Sequence, residues 1–193
     1  MMNSPDDRQP GAGDSAINVP KTELRRLSPV VTAYLAMQRA LAADDLSRAQ
    51  AAAVELEKAL TIAQIERPPE AQVVWAQITQ SLSSHARQVA QANSVEHARM
   101  GFEGLSDDVV MILRRLGNPL NRPLMQAHCP MAFGSRGASW LQQGTDIDNA
   151  YFGASMRQCG EVKQRVEPGS HLPTPEVSKP PAARGAPAPG HQH

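Results

Sequence analysis

Residues 95–116 read VEHARMGFEGLSDDVVMILRRL. Val95, Ala98, Phe102, Leu105, Val109, Ile112 and Leu116 follow one another at alternating steps of three and four. That spacing returns side chains to one face of a 3.6-residue helix, so it predicts a single amphipathic helix over the whole stretch. The helix opens with Ser94-Val95-Glu96-His97. Gly117 follows as a residue free to take the left-handed conformation that ends helices. Gly101 and Gly104 lie inside the stretch. Each costs about 1 kcal/mol against alanine, so a close helix contact or a kink is expected there.

The same pattern recurs upstream. Ser28-Pro29 reads as an N-cap followed by a first-turn proline. Val30, Val31, Tyr34, Leu35, Met37 and Leu41 then follow at helical spacing. Asp44-Asp45 breaks that helix, and Asp45 is placed to cap the next. Its seam is Leu46, Ala49, Ala53, Leu56, Leu60 and Ala63, and it stops before Pro68, because the residue preceding a proline disfavours the α region. A third seam from Pro69 carries Ala71, Trp75, Ile78, Leu82, His85 and Val89. Four seams with short links predict an all-α fold, an up-down four-helix bundle. After Gly117, Asn118-Pro119 and Arg122-Pro123 are turn signals, and glycine recurs at 134, 137, 144, 153 and 160. The expectation there is an irregular C-terminal cap with room for a small β-hairpin, its core formed by Trp140 and Tyr151-Phe152. The predicted organisation is a disordered arm over 1–20, the bundle over 21–117, the cap of the same domain over 118–166, and a disordered Pro/Ala-rich tail over 167–193.

The 193 residues hold 19 basic and 19 acidic side chains. There is no basic excess to neutralise phosphates, so nucleic-acid binding is not expected. No apolar run approaches the roughly 18 residues that cross a bilayer, so neither is membrane insertion. The first residues carry no apolar stretch of the kind found in secretory signals. The chain has no Gly-x-Ser-x-Gly, no His-Glu-x-x-His and no phosphate-binding glycine loop. His128 and Cys129 are chain neighbours whose side chains diverge along an extended backbone, which disfavours a nucleophile–base pair. An enzyme is not expected. His85, on a helical seam, reads as a hydrogen-bonded core histidine.

The residues that carry chemistry lie between 128 and 160, where the chain places both its cysteines, Cys129 and Cys159. Met131 follows the first by two positions, Met156 precedes the second by three, and His128 adjoins the first. Thiolate and thioether sulfurs are soft donors suited to Cu(I) and, by the same reasoning, Ag(I); thiolate with imidazole also suits Zn(II). A spacing of two on an extended segment, or of three on a helical turn, can bring a methionine to the side of its cysteine. Three readings stay open on the residues alone. One is a soft-metal site of Cys129, Met131, Met156 and Cys159 with His128. Another is a Cys129–Cys159 disulfide that holds the cap of a helical interaction module. The third is a pair of inert buried cysteines beside gap-filling methionines.

Several separated motifs occur in order: HCPMAF at 128–133, ASWLQ at 138–142, and Ile-x-Asn-x-Tyr-Phe-Gly-x-x-Met-x-x-Cys-Gly-Glu-Val at 147–162. With YLAMQRALAADDLSRAQAAA at 34–53 and Phe-x-x-Leu-Ser at 102–106, they resemble a bacterial domain of unassigned function. That family occurs at the C-terminus of periplasmic adaptor (membrane-fusion) subunits of heavy-metal efflux systems, and as small stand-alone proteins. The resemblance spans approximately residues 28–166. It implies a metal-handling module, with copper or silver favoured, whose ligands are Cys129, Met131, Met156 and Cys159 and, less directly, His128. It also implies that metal is sequestered or passed to an efflux component such as the adaptor, and that the protein is periplasmic, with the cytoplasm as the alternative. Asn149-Ala150 departs from the family's usual Asn-Pro.

Overall fold

The computed structural model describes residues 15–174. A one-turn helix, α1 (Lys21–Leu24), runs through a 3-10 turn into α2 (Ser28–Ala42), followed by α3 (Leu46–Ile62), α4 (Pro69–Ala90) and α5 (Val95–Arg115). Two side-chain caps form, the sequence-predicted one at Asp45 and another at Ser94. The Asp45 carboxylate accepts from the Arg48 N–H at 2.9 Å, and Ser94 Oγ accepts from the His97 N–H at 3.1 Å. Each such cap is worth about 1 kcal/mol. Ser28 behaves differently. The preceding turn already supplies helical geometry, so Ser28 is not a cap, and its hydroxyl donates instead to the Pro119 carbonyl at 2.8 Å. Gly117, at φ +102°, ends α5.

The four long helices pack in chain order, α2 on α3, α3 on α4 and α4 on α5, and α5 also contacts α2. Their seams form the core, with Leu41, Ala53, Leu56, Leu82, Phe102 and Leu105 fully buried. Gly101 and Gly104 mark a close helix contact, as expected. A Cβ at Gly101 would stand 3.0 Å from Val89 Cγ2 and 3.2 Å from the Val89 backbone nitrogen. A Cβ at Gly104 would stand 2.5 Å from His85 Nε2. The His85 ring therefore lies over a glycine, with its Nδ1 held 2.8 Å from Asp108 Oδ2.

The all-α expectation is overturned. After α5 the chain forms a three-stranded antiparallel sheet of order β2-β1-β3, from β1 (Leu124–Cys129), β2 (Ala138–Gln142) and β3 (Glu161–Val166). The irregular cap with a hairpin is thus a sheet, with β1 at its centre. Most of β1 is buried whichever way its side chains point, so its sequence, LMQAHC, lacks the apolar/polar alternation that marks a half-exposed strand. The sheet packs on α2 and α5 through β2. Tyr34 of α2 ties the three together. Its hydroxyl lies 2.8 Å from Ser106 Oγ of α5 and accepts from the Leu141 N–H of β2 at 3.0 Å. Burial pushes this phenol well above its usual pKa. Tyr34 also stacks on Phe102 at 5.1 Å, Phe102 meets Tyr151 at 5.8 Å, and Tyr151 meets both Trp140 and Phe133. The expected aromatic core between cap and bundle is present at Trp140 and Tyr151.

Both ends of the domain reach further than the sequence boundaries. Ile17, in the stretch read as an arm, donates its N–H to the Arg115 carbonyl at 2.8 Å. Leu172, in the stretch read as tail, is buried and donates to Leu113 at 3.0 Å. The rest of the predicted arm and tail, residues 1–14 and 175–193, lies outside the described residues.

Candidate functional site

Cys129 is the last residue of β1, opposite Ala138 of β2, and has no exposed surface. Cys159 lies in the loop leading into β3 and is half-buried. Both are thiols, and their sulfurs are 3.0 Å apart. Two separate structures hold them there. On the Cys129 side, the chain reverses through residues 132–137 into β2. Phe133 (φ 51°), Gly134 (φ 67°) and Ser135 (φ 68°) are all left-handed in this turn. Left-handed geometry is costly at non-glycine residues. Here Arg136 lies over the Phe133 ring at 5.2 Å and pairs with Glu103 of α5 at 2.7 Å.

On the Cys159 side, Asn149 is the organiser. It has no exposed surface. Its Nδ2 donates to the Cys159 carbonyl at 2.7 Å, and its Oδ1 accepts from the N–H groups of Tyr151 (2.8 Å) and Phe152 (3.2 Å). The Cys159 N–H donates to the Met156 carbonyl at 3.0 Å. Gly160, at φ +132°, completes the approach. A Cβ there would stand 2.8 Å from the His128 carbonyl oxygen and 3.1 Å from the Trp140 ring. Only a residue without a side chain lets this loop come so close to β1. The hydrogen bond to Cys129, then burial, then repulsion from a second thiolate raise the Cys159 thiol above its ordinary pKa. A soft cation binding here would displace protons.

The structure brings together two of the five sequence-predicted ligands. Met131 is 52 % exposed and Met156 37 %, so both thioethers lie largely at the surface. Met156 is tied to Cys159 through its carbonyl, as above. His128 is separated from the pair. Strand alternation points it to the opposite face of the sheet from Cys129, where its Nδ1 lies 3.1 Å from Ser139 Oγ. Among the described residues, no three His, Cys, Asp or Glu side chains gather as a metal-holding group.

A clamp that the sequence did not announce fixes the loop to the bundle. Arg99 of α5 is buried. It donates to the carbonyls of Ala150 (2.8 Å) and Leu41 (3.1 Å) and to Asp44 Oδ1 at 2.5 Å. The other Asp44 oxygen accepts from the Ala154 N–H at 2.9 Å. That backbone donor and the Arg99 guanidinium hold the Asp44 carboxyl below its usual pKa. Gly153, at φ +58°, covers the pair, and a Cβ there would overlap both Asp44 and Arg99. Asp44 read only as part of a helix break, and Arg99 lies off the α5 seam, so no periodicity pointed to either.

A family model described as "Protein of unknown function (DUF3347)" matches residues 30–119. The match runs from the third residue of α2 past the end of α5 and stops before the sheet and both cysteines. No curated protein and no solved structure matches the chain. No helix among the described residues is long and apolar enough to cross a membrane.

Proposed function

We propose that this chain is a soft-metal binding module. It takes Cu(I) or Ag(I) as cargo through Cys129 and Cys159, with Met156 or Met131 as a further thioether donor. The observation that carries the reading is the 3.0 Å separation of two thiol sulfurs contributed by different segments. At a metal–thiolate distance of about 2.3 Å, two sulfurs on one tetrahedral ion stand about 3.8 Å apart. The pair must therefore open by a little under 1 Å. Cys159 can supply that movement, because it lies in a loop next to a glycine, whereas Cys129 is fixed in a central strand. Zinc sites built by protein take three or four N, S or O ligands, and no such group gathers among the described residues. Thiolate and thioether favour Cu(I), so a pair of thiolates with one methionine supports copper or silver over Zn(II).

Cys129 is sealed and Cys159 is half-open, so metal reaches the pair from the Cys159 side and can leave the same way. That suits sequestration, or transfer to a component of a heavy-metal efflux system in the periplasm, as the sequence resemblance implies. The test is an anaerobic Cu(I) competition titration of the reduced protein against a chromogenic chelator. Wild type should bind about one equivalent with proton release. The Cys129→Ser/Cys159→Ser variant should lose that binding. Equal affinity in the two proteins overturns the assignment.

The same separation also favours a second reading, a helical interaction module whose cap is held by a disulfide. A disulfide needs about 2.05 Å, roughly 1 Å in the other direction. That reading expects no metal uptake by the reduced protein and a lower Tm on reduction.

A further inference from the structure

We propose that Cys159 is the site at which a low-molecular-weight disulfide modifies this protein, and that Cys129 resolves the adduct into an internal Cys129–Cys159 bond that closes the sulfur pair to metal. The last consequence rests on the metal reading above; the order of the two thiols does not.

The asymmetry of the pair carries the inference. Cys159 is half-buried, and its loop is held by the Met156 carbonyl and by Asn149. Cys129 has no exposed surface and is locked opposite Ala138 in the central strand. An external reagent therefore reaches Cys159 and not Cys129, because thiol exchange requires access to the attacking sulfur. Once Cys159 carries the adduct, Cys129 stands 3.0 Å from the sulfur it must attack. That proximity makes the second step unimolecular.

The chemistry balances as two exchanges. The Cys159 thiolate attacks one sulfur of R–S–S–R, which forms Cys159–S–S–R and expels R–S⁻. The Cys129 thiolate then attacks Cys159 Sγ, which forms the internal bond and expels the second R–S⁻. The two protons lost by the cysteines end on the two released thiols. The protein is oxidised by two electrons, the reagent is reduced by two, and no other oxidant takes part. Both cysteines are consumed as thiolates, so the disulfide form and the metal-bound form exclude one another.

The experiment uses the full chain, reduced and freed of reductant, with oxidised glutathione as the probe and peptide mapping by mass spectrometry as the readout. Wild type should pass to the internal disulfide without accumulating an adduct. Cys129→Ala should stop at a glutathione adduct on Cys159, and Cys159→Ala should be modified at Cys129 about tenfold more slowly or less. A variant-free control is limiting iodoacetamide on folded wild type, which should label Cys159 first. Labelling of Cys129 first or equally, or a wild-type adduct that never resolves, overturns the proposal. Ag(I) binding separates it from the metal reading. If the reduced protein takes up no Ag(I) while the internal disulfide forms in this order, the metal reading fails and the thiol order stands. If Ag(I) binds but no disulfide forms, this inference fails alone. Equal Ag(I) uptake by the oxidised and reduced forms overturns the claim that the disulfide closes the site.

Discussion

Asn149 shows how one side chain can set the geometry of a site it does not enter. Its amide satisfies the Cys159 carbonyl and two backbone N–H groups in a place with no water access. Asn149→Ala leaves those three groups without partners at about 1–3 kcal/mol each, so a loss of at least about 3 kcal/mol in urea unfolding is expected. On the proposed metal reading, a variant that still folds should also bind Cu(I) more weakly, because Cys159 is released from its place beside Cys129. Undiminished Cu(I) affinity would show that the loop positions Cys159 without the amide. Asp44 gives a pH prediction. Its folded pKa lies below the ordinary carboxylate value because the Ala154 N–H and Arg99 favour the charged form. The stability it contributes is therefore present above the unfolded value, about 4, and is lost as pH falls through the lower folded value. Asp44→Asn should be less stable at neutral pH, and its urea midpoint should fall less steeply from about pH 5 downward. Parallel acid limbs in the two proteins would remove Asp44 from the account. At this scale donor chemistry singled out the two cysteines but left open whether they meet, which the 3.0 Å between their sulfurs answers. The position of His128 on the other face from Cys129 was not legible, because it follows only once residues 124–129 are known to be a strand. The Asp44–Arg99 clamp left no sequence signal, since a buried arginine beside a helix seam resembles a solvated one.

The helices were legible for a physical reason: one buried stripe on a cylinder has to repeat every three or four residues. All four seams, and the glycines where α4 meets α5, follow from that rule. The strands were not, because β1 is buried on both faces and the glycines at 134, 137, 153 and 160 resemble irregular chain until a sheet is seen to need them. Gly101 and Gly104 allow the helix contact to be tested. In an open helix Gly→Ala gains about 1 kcal/mol. At Gly101 the added carbon meets a Val89 methyl and the α4 backbone, and backbone cannot rotate away. Gly101→Ala should therefore destabilise by about 1–2 kcal/mol, the usual cost of overpacking. At Gly104 the added carbon meets only the His85 ring. In a His85→Ala background, Gly104→Ala should recover the propensity gain of about 1 kcal/mol. Urea midpoints of the four variants decide this. Destabilisation by Gly104→Ala in that background would mean that the helix backbones, and not the ring, fill the space.

At the scale of the whole molecule, the question is whether bundle and sheet unfold together. The family match stops at residue 119, yet the chain beyond it is not loosely appended. The Tyr34 hydroxyl joins α2, α5 and β2, the aromatic chain runs from Tyr34 through Phe102 to Tyr151 and Trp140, and Arg99 grips the loop that carries Asn149. A site with one cysteine in the sheet and the other in that loop keeps its sulfurs together only while these joints hold. The bundle thus serves the thiol pair by making the sheet part of its own core. Tyr34→Phe tests the joint with the smallest change in volume. It keeps the ring on Phe102 but removes the partner of Ser106 Oγ and of the Leu141 N–H, at a cost of about 1–3 kcal/mol. For a domain of this size each kcal/mol lowers Tm by roughly 2–4 °C. If bundle and sheet are one cooperative unit, the helical circular dichroism and the tryptophan fluorescence should fall in a single coincident transition, displaced to lower temperature in the variant. Both proteins are read with Trp75→Phe, because Trp75 lies in α4 and Trp140 in the sheet; each method then draws on a different part of the fold, since helix dominates the dichroism. Two transitions in wild type, with only the fluorescence step moved by Tyr34→Phe, would make the sheet a separate unit. The thiol pair would then depend on the sheet's stability alone.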